Sequence, residues 1–225
     1  MPAAPICLSF DNGPTPEATP LVLATLARRR LRAVFFPIAA RLRDPAYLAL
    51  AERCRAAGHL VGNHTLNHGT PLGRRTAAEA VAEIAGADAL LGALREPARL
   101  FRPNGGGGAL GPHLLNQAAL AHLRAQGHTL VLWNAVPRDW DDPEGWPPRA
   151  LALAAAAREP VLLVLHDLAN GAMRHLDRVL GQLADAGHEF LPEPPANCVK
   201  LRPGWAAADL ADYVAAPHGP EETAP

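Results

Sequence analysis

Short apolar runs alternate with longer stretches of helical periodicity along most of this chain. Residues 5–10 (PICLSF) form an apolar run that stops at the turn-forming Asp11-Asn12-Gly13-Pro14. From Thr19 to Arg32 the apolar positions recur at helical spacing, with Leu21, Leu23, Ala24, Ala27 and Leu31 among the candidates for the buried side. A second strand is predicted over Ala33–Ile38. A helix follows, capped by Asp44, opened by Pro45 and ended by Gly58. Strand 59–62 then delivers Asn63 and His64 into a loop. Thr76 and Glu79 fit a capping box for a long helix reaching Leu94. Next come strand 99–101, a glycine loop at 105–108, helix 112–126, strand 128–133 and a loop rich in Pro, Asp and Trp at 137–148. Helix 149–158, strand 160–165, a helix from Arg174 to Ala186 and a strand near 188–191 complete the pattern. Residues 192–214 read as irregular, with room for one short helix, and 215–225 is composed like a disordered tail.

Repeated strand–helix units without internal duplication predict one α/β domain over residues 1–214, with a mainly parallel sheet covered by helices. In such folds the loops leaving the carboxyl ends of the strands carry the chemistry. The polar residues obey that rule: Asp11 with Asn12, His64 with His68, Arg102, Asp139 and His166 each follow a predicted strand.

Charge narrows the possible partners. The 21 basic and 22 acidic residues nearly cancel, and the run Arg28, Arg29, Arg30 and Arg32 ends a helix, where cations complement the dipole. Nucleic acid is therefore not an expected partner. No apolar run reaches membrane-spanning length. The three separated cysteines Cys7, Cys54 and Cys198 read as reduced thiols. With no visible signal-peptide pattern, they make a cytoplasmic location the expectation.

His64-Thr65-Leu66-Asn67-His68 places two imidazoles four residues apart, a separation that can put both on one metal ion. In a chain with ten histidines such a pair also arises by chance, so its neighbours matter. Ser9-Phe10-Asp11-Asn12-Gly13-Pro14 resembles the T-F-D-D-G-P motif of the polysaccharide deacetylases (the NodB-homology domain, carbohydrate esterase family four). Gly62 through His68 is similar to that family's G-N-H-[ST]-x-x-H motif. Phe101-Arg102-Pro103 resembles the third motif, Trp133 through Asp139-Trp140 the fourth, and Leu165-His166-Asp167 the fifth, all in the family order.

The resemblance implies a distorted (β/α) barrel with about seven parallel strands. It implies Asp11 as general base, oriented by Arg102. His166 would be the general acid, with Asp139 a candidate for orienting its ring. A divalent ion, zinc foremost with cobalt, nickel or manganese as alternatives, would sit on Asn12, His64 and His68. The backbone near Gly105 would help hold the oxyanion, and Trp140 would line the substrate site.

Three departures bear on that reading. Position 12 is Asn where the family has Asp, which removes the negative charge that offsets a divalent cation and predicts weak metal binding or none. Asn104 is followed by four glycines, Gly105–Gly108, where the family has proline, an aromatic and one glycine. Position 134 is also Asn in place of the more frequent Asp. Three functions stay open on the sequence. The first is metal-dependent N-deacetylation of an amino sugar or oligosaccharide. The second is hydrolysis of a small cyclic amide or ureide, with or without metal. The third is sugar binding without catalysis.

Overall fold

The computed structural model describes residues 3–216. Seven parallel strands curl into a barrel: β1 (Ile6–Asp11), β2 (Val34–Phe36), β3 (Leu60–Val61), β4 (Leu100–Phe101), β5 (Thr129–Val131), β6 (Val161–His166) and β7 (Phe190–Leu191). β1 is the central strand, paired with β6 along its whole length, with β7 at Ile6–Cys7 and with β2 at Ser9–Asp11. β2 pairs with β3, and β4 with β5. Single parallel bridges complete the closure. Asn63 joins Phe101, and Ala135 joins Leu163.

The alternation of side chains along β1 explains how one strand serves both the core and the site. Every residue of β1 is buried, as expected for a central parallel strand covered on both faces. Ile6, Leu8 and Phe10 pack outward with Leu163, Leu165 and the helical residues Val22, Leu26 and Val179. Cys7 points the other way, among Val34, Phe36, Leu162 and Val164. On the Cys7 face the period of two also carries Ser9 and Asp11, and Asp11 ends the strand.

Six helices cover the barrel: α1 (Thr19–Arg29), α2 (Pro45–Ala56), α3 (Ala77–Leu91), α4 (Gln117–Ala125), α5 (Trp146–Ala156) and α6 (Leu176–Asp185). The cap at Asp44 and the capping box of Thr76 with Glu79 form as the sequence predicts. Helix 112–126 is corrected: Pro112–Leu114 is a separate 3-10 turn, and Asn116 caps α4 by accepting from Ala119 N at 2.8 Å. α5 starts at Trp146, ahead of the predicted 149, because Pro147 and Pro148 sit in its first turn, where a missing N–H costs nothing. The reading of 192–214 as irregular is corrected more substantially. β8 (Val199–Arg202) pairs antiparallel with β5, and β9 (Trp205–Ala206) pairs antiparallel with β8. Strands of four and two residues joined at Pro203-Gly204 leave too little alternation to read.

Of the segment 215–225, only Ala215 and Ala216 fall among the described residues, and Ala215 N donates to Leu115 O at 2.8 Å. Among the described residues no helix is long and apolar enough to cross a membrane.

Candidate active site

All the chemically capable side chains picked out by the sequence converge at the carboxyl ends of the strands. Asp11, Asn12, His64, His68, Gly105, Trp133, Trp140 and His166 line one cavity, together with Val136, Val164 and the glycines 106–108. Arg102 and Asp139 stand behind it, fully buried.

Arg102 leaves the end of β4 and donates through Nη1 to Asp11 Oδ1 at 2.7 Å and to Ser9 Oγ at 2.8 Å. Its guanidinium lies 4.1 Å from the centre of the Phe36 ring. Burial pushes the Asp11 carboxyl up. The charge of Arg102, joined by His166 and by the Arg102 hydrogen bond, outweighs burial and holds the group below the usual carboxylate range. Asp11 is thus a buried carboxylate that stays ionised. Ser9 belongs to this network and escaped the sequence reading. The signal was present in its position two residues before Asp11, on the same face of the strand.

On the opposite wall His166 ends β6. Its Nδ1 lies 2.9 Å from Asp139 Oδ1, and its backbone N–H donates to Asp139 Oδ2 at 2.7 Å. Asn170 Nδ2 donates to Asp139 O at 3.0 Å, and the Trp140 ring meets His166 edge-on at 4.7 Å. Burial disfavours the imidazolium. The hydrogen bond and charge of Asp139, with Asp11 and Asp167 nearby, outweigh that and raise His166 above its ordinary value. An ionised acceptor and a readily protonated donor therefore face one cavity.

The histidine loop follows β3. His64 Nδ1 lies 2.9 Å from the Arg102 carbonyl oxygen. That oxygen can only accept, so Nδ1 carries the proton and Nε2 the free lone pair. The rings of His64 and His68 lie 4.9 Å apart. Burial drives His64 down to about 3 against the pull of Asp11, and lowers His68 as well, which favours the neutral imidazole at both positions.

Thr65 and His68 hold left-handed backbone with φ of 65° and 52°, a conformation that non-glycine residues keep only under constraint. The constraint comes from α3. Glu83 accepts from Asn67 N at 2.9 Å and from Asn67 Nδ2 at 2.8 Å, while Asp88 accepts from Asn63 Nδ2 at 2.9 Å. Neither carboxylate was singled out from sequence, since both read as the polar residues of an amphipathic helix.

The donor set can be tested for a metal ion. Asn12 lines the cavity beside both histidines, and its Oδ1 is buried with no hydrogen-bond partner. An orphaned amide oxygen next to two neutral imidazoles with free lone pairs is a set that fits a divalent ion. It fits weakly, because the set carries no charge. Among the described residues no three His, Cys, Asp or Glu side chains form a metal-type cluster, so a third protein donor beside His64 and His68 would have to be the Asn12 amide.

The four-glycine loop is not an empty wall. A Cβ on Gly105 would lie 2.7 Å from Trp133 Cζ2, so the backbone passes directly against that indole. Trp133 Nε1 donates to Gly108 O at 2.8 Å, and His113 Nε2 lies 3.1 Å from Gly105 O. Gly106, Gly107 and Gly108 all have positive φ, from 59° to 110°. Asn134 lies outside the cavity: it accepts from Leu162 N and donates to Pro160 O, fastening the start of β6.

The family profile of the polysaccharide deacetylases matches residues 1–131. A peptidoglycan-N-acetylglucosamine deacetylase of Bacillus cereus is 31% identical over 197 residues, 83% of this chain and 84% of that protein. The chain belongs to the polysaccharide deacetylase family. A chitooligosaccharide deacetylase of Sinorhizobium fredii is 34% identical over 173 residues, 73% of each protein. The barrel is also that of a family 4 carbohydrate esterase from Streptomyces lividans solved with acetate. That structure matches with a TM-score of 0.71 at 20% identity, over 90% of this chain and 100% of the other. Members of this polysaccharide deacetylase family hydrolyse the amide bond of N-acetyl sugars and are generally metal-dependent.

Proposed function

We propose that the protein removes the acetyl group from N-acetylglucosamine units of an oligosaccharide or glycan, with Asp11 as general base and His166 as general acid. The observation that carries this reading is a pair of opposed groups across one cavity: Asp11, bonded to Arg102 at 2.7 Å and held ionised by it, and His166, 2.9 Å from Asp139 and held readily protonated by it. Amide hydrolysis needs that combination, since water must lose a proton and the departing amine must gain one. A sugar-binding protein without catalysis has no use for it.

Asn12, His64 and His68 would hold the divalent ion. When bound there, the ion supplies Lewis acidity toward the amide carbonyl and the attacking water. Asp11 takes the water proton, and Arg102 keeps its carboxylate oriented. His166 delivers a proton to the amine nitrogen, with Asp139 fixing its ring. Trp140 and Trp133 offer apolar walls to the sugar or the acetyl methyl, and Gly105 places backbone at the cavity edge where an oxyanion develops.

The neutral residue at position 12 favours one rival, hydrolysis of a small cyclic amide with little dependence on metal. The two readings separate in one assay. With zinc or cobalt supplied, N-acetylglucosamine oligomers should yield acetate and free amine in equal amounts, and His166→Ala should lose at least about 10²-fold in rate. Hydrolysis of cyclic amides at rates unaffected by chelators, with the oligomers untouched, would replace this reading with the rival.

A further inference from the structure

Beside the catalytic groups lies a buried carboxylate that the chemistry above does not use. Asp167 follows His166 directly and is 1% exposed. Its Oδ2 accepts from Thr19 Oγ1 at 2.5 Å, while its Oδ1 is buried without a hydrogen-bond partner. Burial pushes the group up to about 7, against the hydrogen bond from Thr19.

The carboxyl occupies the space beside Gly13. A Cβ built there would lie 2.0 Å from Oδ1 and 2.2 Å from Oδ2, so the main chain at position 13 runs directly against it. Two further hydrogen bonds close a ring around this contact. Thr15 Oγ1 donates to the Asp167 carbonyl at 2.7 Å, and Thr15 N donates to Thr19 Oγ1 at 2.7 Å. The turn after β1, the start of α1 and the end of β6 are thereby clamped together. On its other side the turn is held to β2 and the residues just after it, through Asn12 N to Phe36 O at 3.1 Å and Ile38 N to Gly13 O at 3.2 Å.

What the clamp holds is Asn12. Its backbone is left-handed with φ of 68°, which a non-glycine residue keeps only where its surroundings impose it. Its side-chain oxygen is left without a partner inside the cavity. An ionised ligand would be drawn to a cation by charge. A neutral amide is not, so it depends on being placed in advance.

We propose that Asp167 is a positioning residue for Asn12: backed against Gly13 and tied to Thr19, it fixes where the Asn12 amide oxygen meets the ion held by His64 and His68. This rests on the assignment of Asn12 to the metal shell.

The test is a double-mutant cycle read by zinc binding to the metal-free protein in equilibrium dialysis, with acetate release as a second readout. In the native background Asn12→Asp should tighten zinc by at least about tenfold, because it adds a charge to a neutral donor set. Asp167→Ala should weaken zinc by about 10-fold, the low end for groups that orient metal ligands. In that background the gain from Asn12→Asp should change by several-fold, since the two positions are coupled. Asp167→Asn keeps the volume and an oxygen for Thr19, and should restore zinc affinity to within about threefold of native. Should Asp167→Ala fail to fold, Thr19→Val breaks the same clamp from the other side and carries the cycle.

An Asn12→Asp gain of equal size in both backgrounds would overturn the positioning role and leave the metal site standing. No gain in the native background would instead remove Asn12 from the metal shell, and the proposal with it.

Discussion

Asp11 and His166 share a cavity yet are pushed in opposite directions, and each owes its state to one buried partner. His166 has a raised value, so its acid form persists above the usual range for histidine and is lost as pH rises through that raised value. Asp139→Asn removes the largest raising contribution, and the alkaline limb of kcat/KM should move to lower pH, with activity down by about 10²-fold. Asp11 has a lowered value, so its base form is present above that value and lost as pH falls through it. Arg102→Met should move the acidic limb to higher pH. It should also cost about 3–5 kcal/mol of stability, measured by denaturant unfolding, because a buried carboxylate is left unpaired. Unchanged pH limbs in both variants would mean that neither pair tunes the reaction. The residues that react were legible because each ends a strand in a recognisable motif. Arg102 and Asp139, which hold them, were legible in the same motifs, whereas the residues that hold the histidine loop were not. Glu83 and Asp88 act through contacts 16 and 25 positions apart in sequence, and nothing in their local pattern separates them from ordinary polar residues.

Among the elements, α3 does the most for the site without contributing to the cavity wall. Its carboxylates Asp88 and Glu83 grip the histidine loop at Asn63 and Asn67, with the left-handed Thr65 between those points and the left-handed His68 directly after the second. Glu83→Ala should therefore lower zinc affinity by about tenfold, read by equilibrium dialysis. Thr76→Ala, which loses the cap of the same helix, should lower the melting temperature and leave zinc affinity unchanged. If the cap variant weakened zinc as much as Glu83→Ala, the grip would reduce to general helix stability. Helix starts with strong caps were readable to within a residue, as at Asp44 and Thr76. Where Pro112 and Asn116 offered two competing starts, the sequence pattern ran together a 3-10 turn and a helix that the structure separates.

The whole molecule is a barrel whose parallel ladders are short and whose closure relies on isolated bridges at Asn63–Phe101 and Ala135–Leu163. The first of these lies beside the catalytic groups. Asn63 precedes His64, Phe101 precedes Arg102, and Arg102 N donates to Asn63 O at 2.9 Å. The bridge that closes the barrel at this point thus adjoins the His64–Arg102 contact directly. The mainly parallel character of the sheet followed from the alternation of strands and helices. The antiparallel β8–β9 pair did not, because a two-residue strand leaves no periodicity to read. The glycine loop was legible as a departure from the family, but its seat against Trp133 was not, since that approach depends on two segments meeting across the barrel mouth.

The central claim is that water cleaves an acetamide at this site with Asp11 as the base. It is tested most directly by mass spectrometry of N-acetylglucosamine oligomers incubated with the zinc- or cobalt-supplied protein in heavy-oxygen water. The account predicts sugars that have lost acetyl groups and carry free amines, one heavy oxygen in each acetate released, and near-complete loss of the products with Asp11→Asn. Oligomers that remain intact under those conditions, or acetate that forms equally well without Asp11, would contradict it.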